Sequence, residues 1–234
     1  MVTISTGRDL RRADAAAGAT LAVLGLLLVA SWPAALDGTA FDGARELVGY
    51  AVVWLPLGAA ALIASRWHGS GSLRRDFGLR FRPIDLVWGL AIGLLGRTVA
   101  TVLEIVGYGQ VGSVGGVTLG PPSYDPWWLF GTLLAPVLIA PLVEELFFRG
   151  LVLRSVLAAT PGRAATGVAI GVSGLSFALL HVVSAGSPVE AVVVGAGTLL
   201  FGLAAASASM LTGRIGAAIV AHVVFNALVI VPAL

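Results

Sequence analysis

Among its 234 residues the chain has no cysteine and no lysine. The first absence removes disulfides, thiolate catalysis and cysteine-based zinc sites together. The second leaves all 14 basic residues as arginine. Charge of either sign is scarce, at 11% of residues against 58% hydrophobic, too little to clothe one or two soluble domains of this length. With a mean hydropathy of +0.98, the composition is that of a polytopic membrane protein. A net charge of +2 does not call for nucleic acid as a partner, because the arginines are explained by where they lie.

They lie between apolar runs. Seven spans are predicted, at about Ala17 to Leu36, Leu47 to Ser65, Ile84 to Tyr108, Pro126 to Ala158, Ala164 to Val183, Pro188 to Leu211 and Ile215 to Pro232. Each approaches or exceeds the ~20 residues a helix needs to cross a bilayer. The fourth, at over thirty residues, is one long tilted helix or two pieces, which would make eight. Twelve arginines fall on one side of this arrangement, from Arg8, Arg11 and Arg12 through the Arg66 to Arg82 loop and Arg149, Arg154 and Arg163 to Arg214. The connections on the other side hold only Arg45, so the N-terminus is expected in the cytoplasm of a multi-pass cell-membrane protein. The expected organisation is a cytoplasmic segment over 1–16 and an integral membrane domain over 17–234. The first span is read as an uncleaved anchor, since its apolar stretch is long for a signal peptide.

Several polar or small residues have structural readings. Gly89 with Gly93, and Gly167 with Gly171, form small-xxx-small pairs suited to close helix packing. His68 reads as a solvated loop histidine. Arg97 and Glu104, seven residues apart, share a helix face and suit an ion pair. Pro136 and Pro141 suggest a bend or a freed carbonyl just before a pair of acids.

That pair is Glu144 and Glu145, set within an apolar run, with Arg149 one turn later. An ionisable residue inside a span is a functional-site hypothesis by default. Glu145 and Arg149 stand at i and i+4 with the acid first, the favoured order for a helical ion pair. Glu144 projects about 100° away and is left for proton transfer. Phe177 with His181, and His222 with Asn226, repeat the i, i+4 spacing on two later spans. A carboxylate, two imidazoles and a carboxamide on three apolar helices supply a base, orienting groups and hydrogen-bond donors for a charged intermediate.

In their order, these motifs resemble the CAAX-processing and bacteriocin-processing (Abi) family of intramembrane proteases, similar to type II CAAX prenyl endopeptidases. Its patterns Glu-Glu-x-x-x-Arg, Phe-x-x-x-His and His-x-x-x-Asn are met by Glu144, Glu145 and Arg149, by Phe177 and His181, and by His222 and Asn226. The resemblance covers 126–234. It implies an all-α bundle of about seven, or eight, membrane helices around an intramembrane polar cavity, and an endopeptidase acting on a membrane-associated protein or peptide. It further implies Glu144 as base on a water held by His181, His222 and Asn226 as oxyanion donors, and Glu145, Arg149 and Phe177 in support. No cofactor is required on this reading. A two-His, one-carboxylate zinc set of Glu144, His181 and His222 is the metal alternative, though no His-Glu-x-x-His helix is present.

Depth raises a difficulty. At ~1.5 Å per residue, His222 lies ~10 Å into the last span, but His181 lies ~25 Å into the fifth. Competing functions are a non-enzymatic immunity or partner-binding protein of the same superfamily and a proton-coupled transporter. The absence of matched half-repeats counts against the transporter.

Overall fold

The computed structural model describes residues 7–30, 42–111 and 126–231. The described residues are helical, with short connecting turns, in an antiparallel bundle. Helix α1 is Gly7–Ala30, α2 Asp42–Arg66, α3 the single turn Leu73–Asp76, and α4 Ile84–Tyr108. Helix α5 runs unbroken over 126–159, α6 is Ala165–Val182, α7 Pro188–Thr212 and α8 Gly216–Ile230. Among the described residues five helices are long and apolar enough to cross a membrane, and α8 is a shorter apolar helix. The chain is a multi-pass helical membrane protein.

Local chemistry sets the ends. Ser187 caps α7 by accepting the Glu190 N–H at 3.1 Å, Pro188 occupies the first turn, and Glu190 accepts the Gly186 N–H at 2.9 Å. Gly109 and Gly213 close α4 and α7 in the left-handed conformation that glycine adopts without steric cost. Helix α1 begins ten residues before the expected span. Its polar first turns are held by α2 and α3 instead of lying apart as a separate segment. Arg11 donates to the His68 carbonyl at 2.8 Å, and His68 meets Asp14 at 2.6 Å. His68 is therefore half-buried and hydrogen-bonded to Asp14, where the sequence reading had it solvated.

The two glycine pairs part company. A methyl group on Gly89 or Gly93 would stand within 3 Å of Val220 or of Val224 and the Ala221 carbonyl, so these positions let α4 and α8 touch backbone to backbone. Among the described residues nothing lies within 4 Å of such a methyl on Gly167 or Gly171, so neither serves a close helix contact there.

Helix α5 is α-helical at Pro126–Trp128, π-helical at Leu129–Ile139, α-helical at Ala140–Glu145, π-helical at Leu146–Val152 and α-helical again at Leu153–Ala159. The first distortion has a visible cause. Within it the amide of each residue reaches back five, as Ala140 does to the Ala135 carbonyl. The next amide in that series would be that of residue 141, a proline without an N–H, so the Pro136 carbonyl is released from the ladder. The second distortion encloses Arg149, in keeping with the concentration of π turns at functional sites.

Helix α8 starts low in the bundle because its first turn is tied to other elements. Arg214 forks onto Asp85 at 2.6 and 3.1 Å, the Ile215 N–H donates to Gly78 at 3.0 Å, and Arg154 donates to the Gly213 carbonyl at 3.1 Å. Antiparallel to α5, α8 then brings His222 level with Glu145, nine residues beyond the Arg154–Gly213 contact on each helix. This resolves the mismatch of depths. The start of α8 is level with Arg154, not with the ends of α5 and α6.

Candidate active site

Glu145 is the anchor of the polar centre. Fully buried, its Oε1 accepts from Arg149 Nη1 at 2.9 Å and from His222 Nδ1 at 2.9 Å. An ionised carboxylate only accepts, so His222 carries its proton on Nδ1. Arg149 is also fully buried and sends Nη2 toward the Gly202 carbonyl at 3.4 Å. That reach depends on α6 and α7 crossing at two glycines, since a methyl on Gly202 would stand 3.1 Å from the Gly174 backbone. An ion pair this deep persists only where charges are matched and hydrogen-bonded.

Phe177 is the hub. The Arg149 guanidinium lies 4.3 Å from its ring centroid, and the rings of His181, His222, Phe148 and Phe201 lie 4.4, 5.5, 5.3 and 5.9 Å away. Such a desolvated cation over an aromatic face is worth on the order of 2 kcal/mol.

Glu144 faces elsewhere. It is buried, and its Oε2 has no hydrogen-bond partner in the protein. His181 Nε2 stands 3.8 Å from that oxygen. The other nitrogen, Nδ1, is 2.8 Å from the Phe177 carbonyl. A carbonyl can only accept, so Nδ1 holds a proton, and in the neutral tautomer this leaves the Nε2 lone pair turned toward Glu144. Two acceptors therefore face one another at a distance too long for a direct bond, the spacing at which a water fits between.

Asn226 donates through Nδ2 to the Pro136 carbonyl at 2.8 Å, the group released by the π turn and Pro141. One amide proton is thereby used and one remains. Asn226 and His181 also line a chamber of about 270 Å³ whose wall includes Arg97 and Glu104. Those two form the expected pair, with contacts of 2.8 and 2.9 Å. Glu144 and His222 are not in the chamber lining and stand behind it.

Every site residue expected from sequence thus lies in one contiguous polar centre, with His181 and Asn226 on the chamber wall and Glu144, Glu145, Arg149, His222 and Phe177 behind them. Phe201, Gly202 and Ser173, which donates to the Phe148 carbonyl at 2.9 Å, carried no signal in the sequence because each sits in an apolar run without a polar companion at helical spacing. Among the described residues no three histidine or acidic side chains gather as a metal-binding set. His222 Nδ1 is committed to Glu145.

A helical membrane bundle with a paired carboxylate and imidazole centre sunk among its helices is the class these observations define. Residues 126–228 match the family model of the Rce1-like type II CAAX prenyl endopeptidases, and this stretch holds all the motif residues. No curated protein and no solved structure gives a significant match.

Proposed function

We propose that the chain is an intramembrane endopeptidase that hydrolyses a peptide bond in a membrane-associated protein or peptide with a water activated by Glu144. The observation that carries this reading is the 3.8 Å gap between Glu144 Oε2 and His181 Nε2. A water between two acceptors donates one hydrogen to each, which leaves its oxygen lone pairs for a third direction, that of a scissile carbonyl.

On attack the water oxygen bonds to the carbonyl carbon, its proton passes to Glu144, and the C=O electron pair moves onto the oxygen. The remaining Asn226 N–H meets that oxyanion, a contribution worth several kcal/mol when the donor is fixed in advance. Collapse breaks the C–N bond, and Glu144 returns its proton to the leaving amine. Glu145 and Arg149 hold His222, and Phe177 holds His181 through its carbonyl. The reaction as written needs no cofactor, and the N-terminus is cytoplasmic on this reading.

Purified protein in lipid nanodiscs, incubated with a library of membrane-anchored peptides with and without chelator, tests the proposal. Cleavage by the native chain, abolished by Glu144→Gln and by His181→Ala and indifferent to chelator, is expected. Unchanged cleavage by the Glu144 variant overturns the water mechanism, chelator sensitivity overturns its metal-free form, and no cleavage of any peptide by the native chain counts for a binding protein instead.

A further inference from the structure

The reaction centre is not placed symmetrically between the two ends of the bundle. Helix-to-helix contacts fix which ends lie together. On α4 and α8, Gly89 meets Val220 and Gly93 meets Val224, so these two run parallel. Gly107 of α4 meets Val193 of α7 while Gly197 of α7 meets Ala100, and on α6 Gly174 meets Leu203 of α7 while Val182 meets Gly195, so α7 is antiparallel to both. Tyr108, Val182, Pro188 and Ile230 therefore lie at one end.

The chamber belongs to that end. Of its lining residues, Ile230 and His181 are at or next to a helix terminus, and Glu104 and Val193 lie within ~8 Å of one. The deepest, Arg97 and Thr198, lie ~16 Å in, about half of a ~30 Å hydrocarbon core. Arg66, Arg74, Arg75, Arg80, Arg82, Arg154, Arg163 and Arg214 are all at the opposite end. Connections rich in arginine stay in the cytoplasm. The Arg97–Glu104 pair fits a wall reached by water, since intramembrane charges face each other or a wet cavity.

We infer that the chamber beside His181 and Asn226 is served from the arginine-poor, extracytoplasmic face, so that the substrate is a segment presented at the outer side of the membrane by a membrane-associated polypeptide. This rests on reading the chamber as the reaction site. The absence of cysteine supplies the test directly. Val194→Cys and, as a second chamber position, Val229→Cys are each expressed in intact cells and treated with a small, charged, membrane-impermeant thiol reagent. Arg75→Cys, in the arginine-rich loop, is treated alongside.

Both chamber cysteines are expected to react in intact cells at least about tenfold faster than the loop cysteine, which reacts only after permeabilisation. Chamber cysteines that react only after permeabilisation, chamber cysteines that react under neither condition, or a loop cysteine that reacts in intact cells each overturn the inference. Labelling needs no turnover. A chain that labels as expected but cleaves nothing refutes the protease and leaves the direction of access standing; a chain that cleaves but labels from the cytoplasmic side does the reverse.

Discussion

Asn226 closes, at 2.8 Å, the hydrogen bond that the Pro136 carbonyl loses to the missing amide of Pro141. The asparagine is thus a structural joint between α8 and α5 as well as a chamber residue, and its two amide protons divide these duties.

The joint is separable from the chemistry. Asn226→Ala strands a carbonyl within the bundle and should cost about 1–3 kcal/mol. Pro141→Ala restores an N–H beside that carbonyl, so the double variant should regain part of the loss in thermal stability while activity stays low. Equal melting temperatures for Asn226→Ala and the double variant would remove the argument.

Arg149→Lys keeps the charge but not the fork. The native guanidinium serves Glu145, the Gly202 carbonyl and the Phe177 face together, and an ammonium cannot match that planar arrangement. Loss of about 3 kcal/mol or more is expected, as for breaking a buried pair, measured by denaturation in detergent. Arg149→Met with Glu145→Gln, which removes both charges, should be the more stable chain despite being inactive.

Packing predicts a contrast between two glycines, one on α4 and one on α6. Gly93→Leu has to push α8 away from α4 and should lower the melting temperature severely, whereas Gly167→Leu meets open space and should change it little.

The arginine-rich end of the bundle offers a pH test. Burial pushes the Asp76 carboxyl up, but hydrogen bonds from Ser65 at 2.7 Å and from the Ser70 amide, together with the Arg11 charge, outweigh it and hold the group below its ordinary value. A carboxyl more acidic in the folded chain contributes stability that is complete above the unfolded value, about pH 4, and is lost as pH falls through the folded one. The native chain should therefore out-melt Asp76→Asn near neutrality, and the gap should narrow below about pH 4.

The periodic parts of this molecule were legible without coordinates. Helix α4 occupies the expected span, and α5 and α7 end within a residue of theirs, because hydropathy, proline and glycine punctuate them. The i, i+4 spacing was enough to pair Glu145 with Arg149 and to set Phe177 beside His181. What the residue pattern did not reveal is set by contacts far apart in the chain. The depth of α8 depends on Asp85 holding Arg214 across 129 positions, and the reach of Arg149 to Gly202 depends on the crossing of α6 and α7. That α1 continues beyond its apolar stretch could not be read from hydropathy, because its first turns are kept helical by polar partners that follow α2.

The two widened stretches of α5 make its length a fixed quantity. Removing one residue from Leu146–Val152 would relax that stretch to the tighter winding and turn everything beyond it by about 100°, the angle between neighbours in a regular helix. Arg154 would swing off Gly213 while both acids kept their places, or the acids would swing off the imidazoles while Arg154 kept its own. Relatives in which this segment is shorter by a single position would have to re-route the attachment of the final helix to keep the same arrangement of acids and imidazoles.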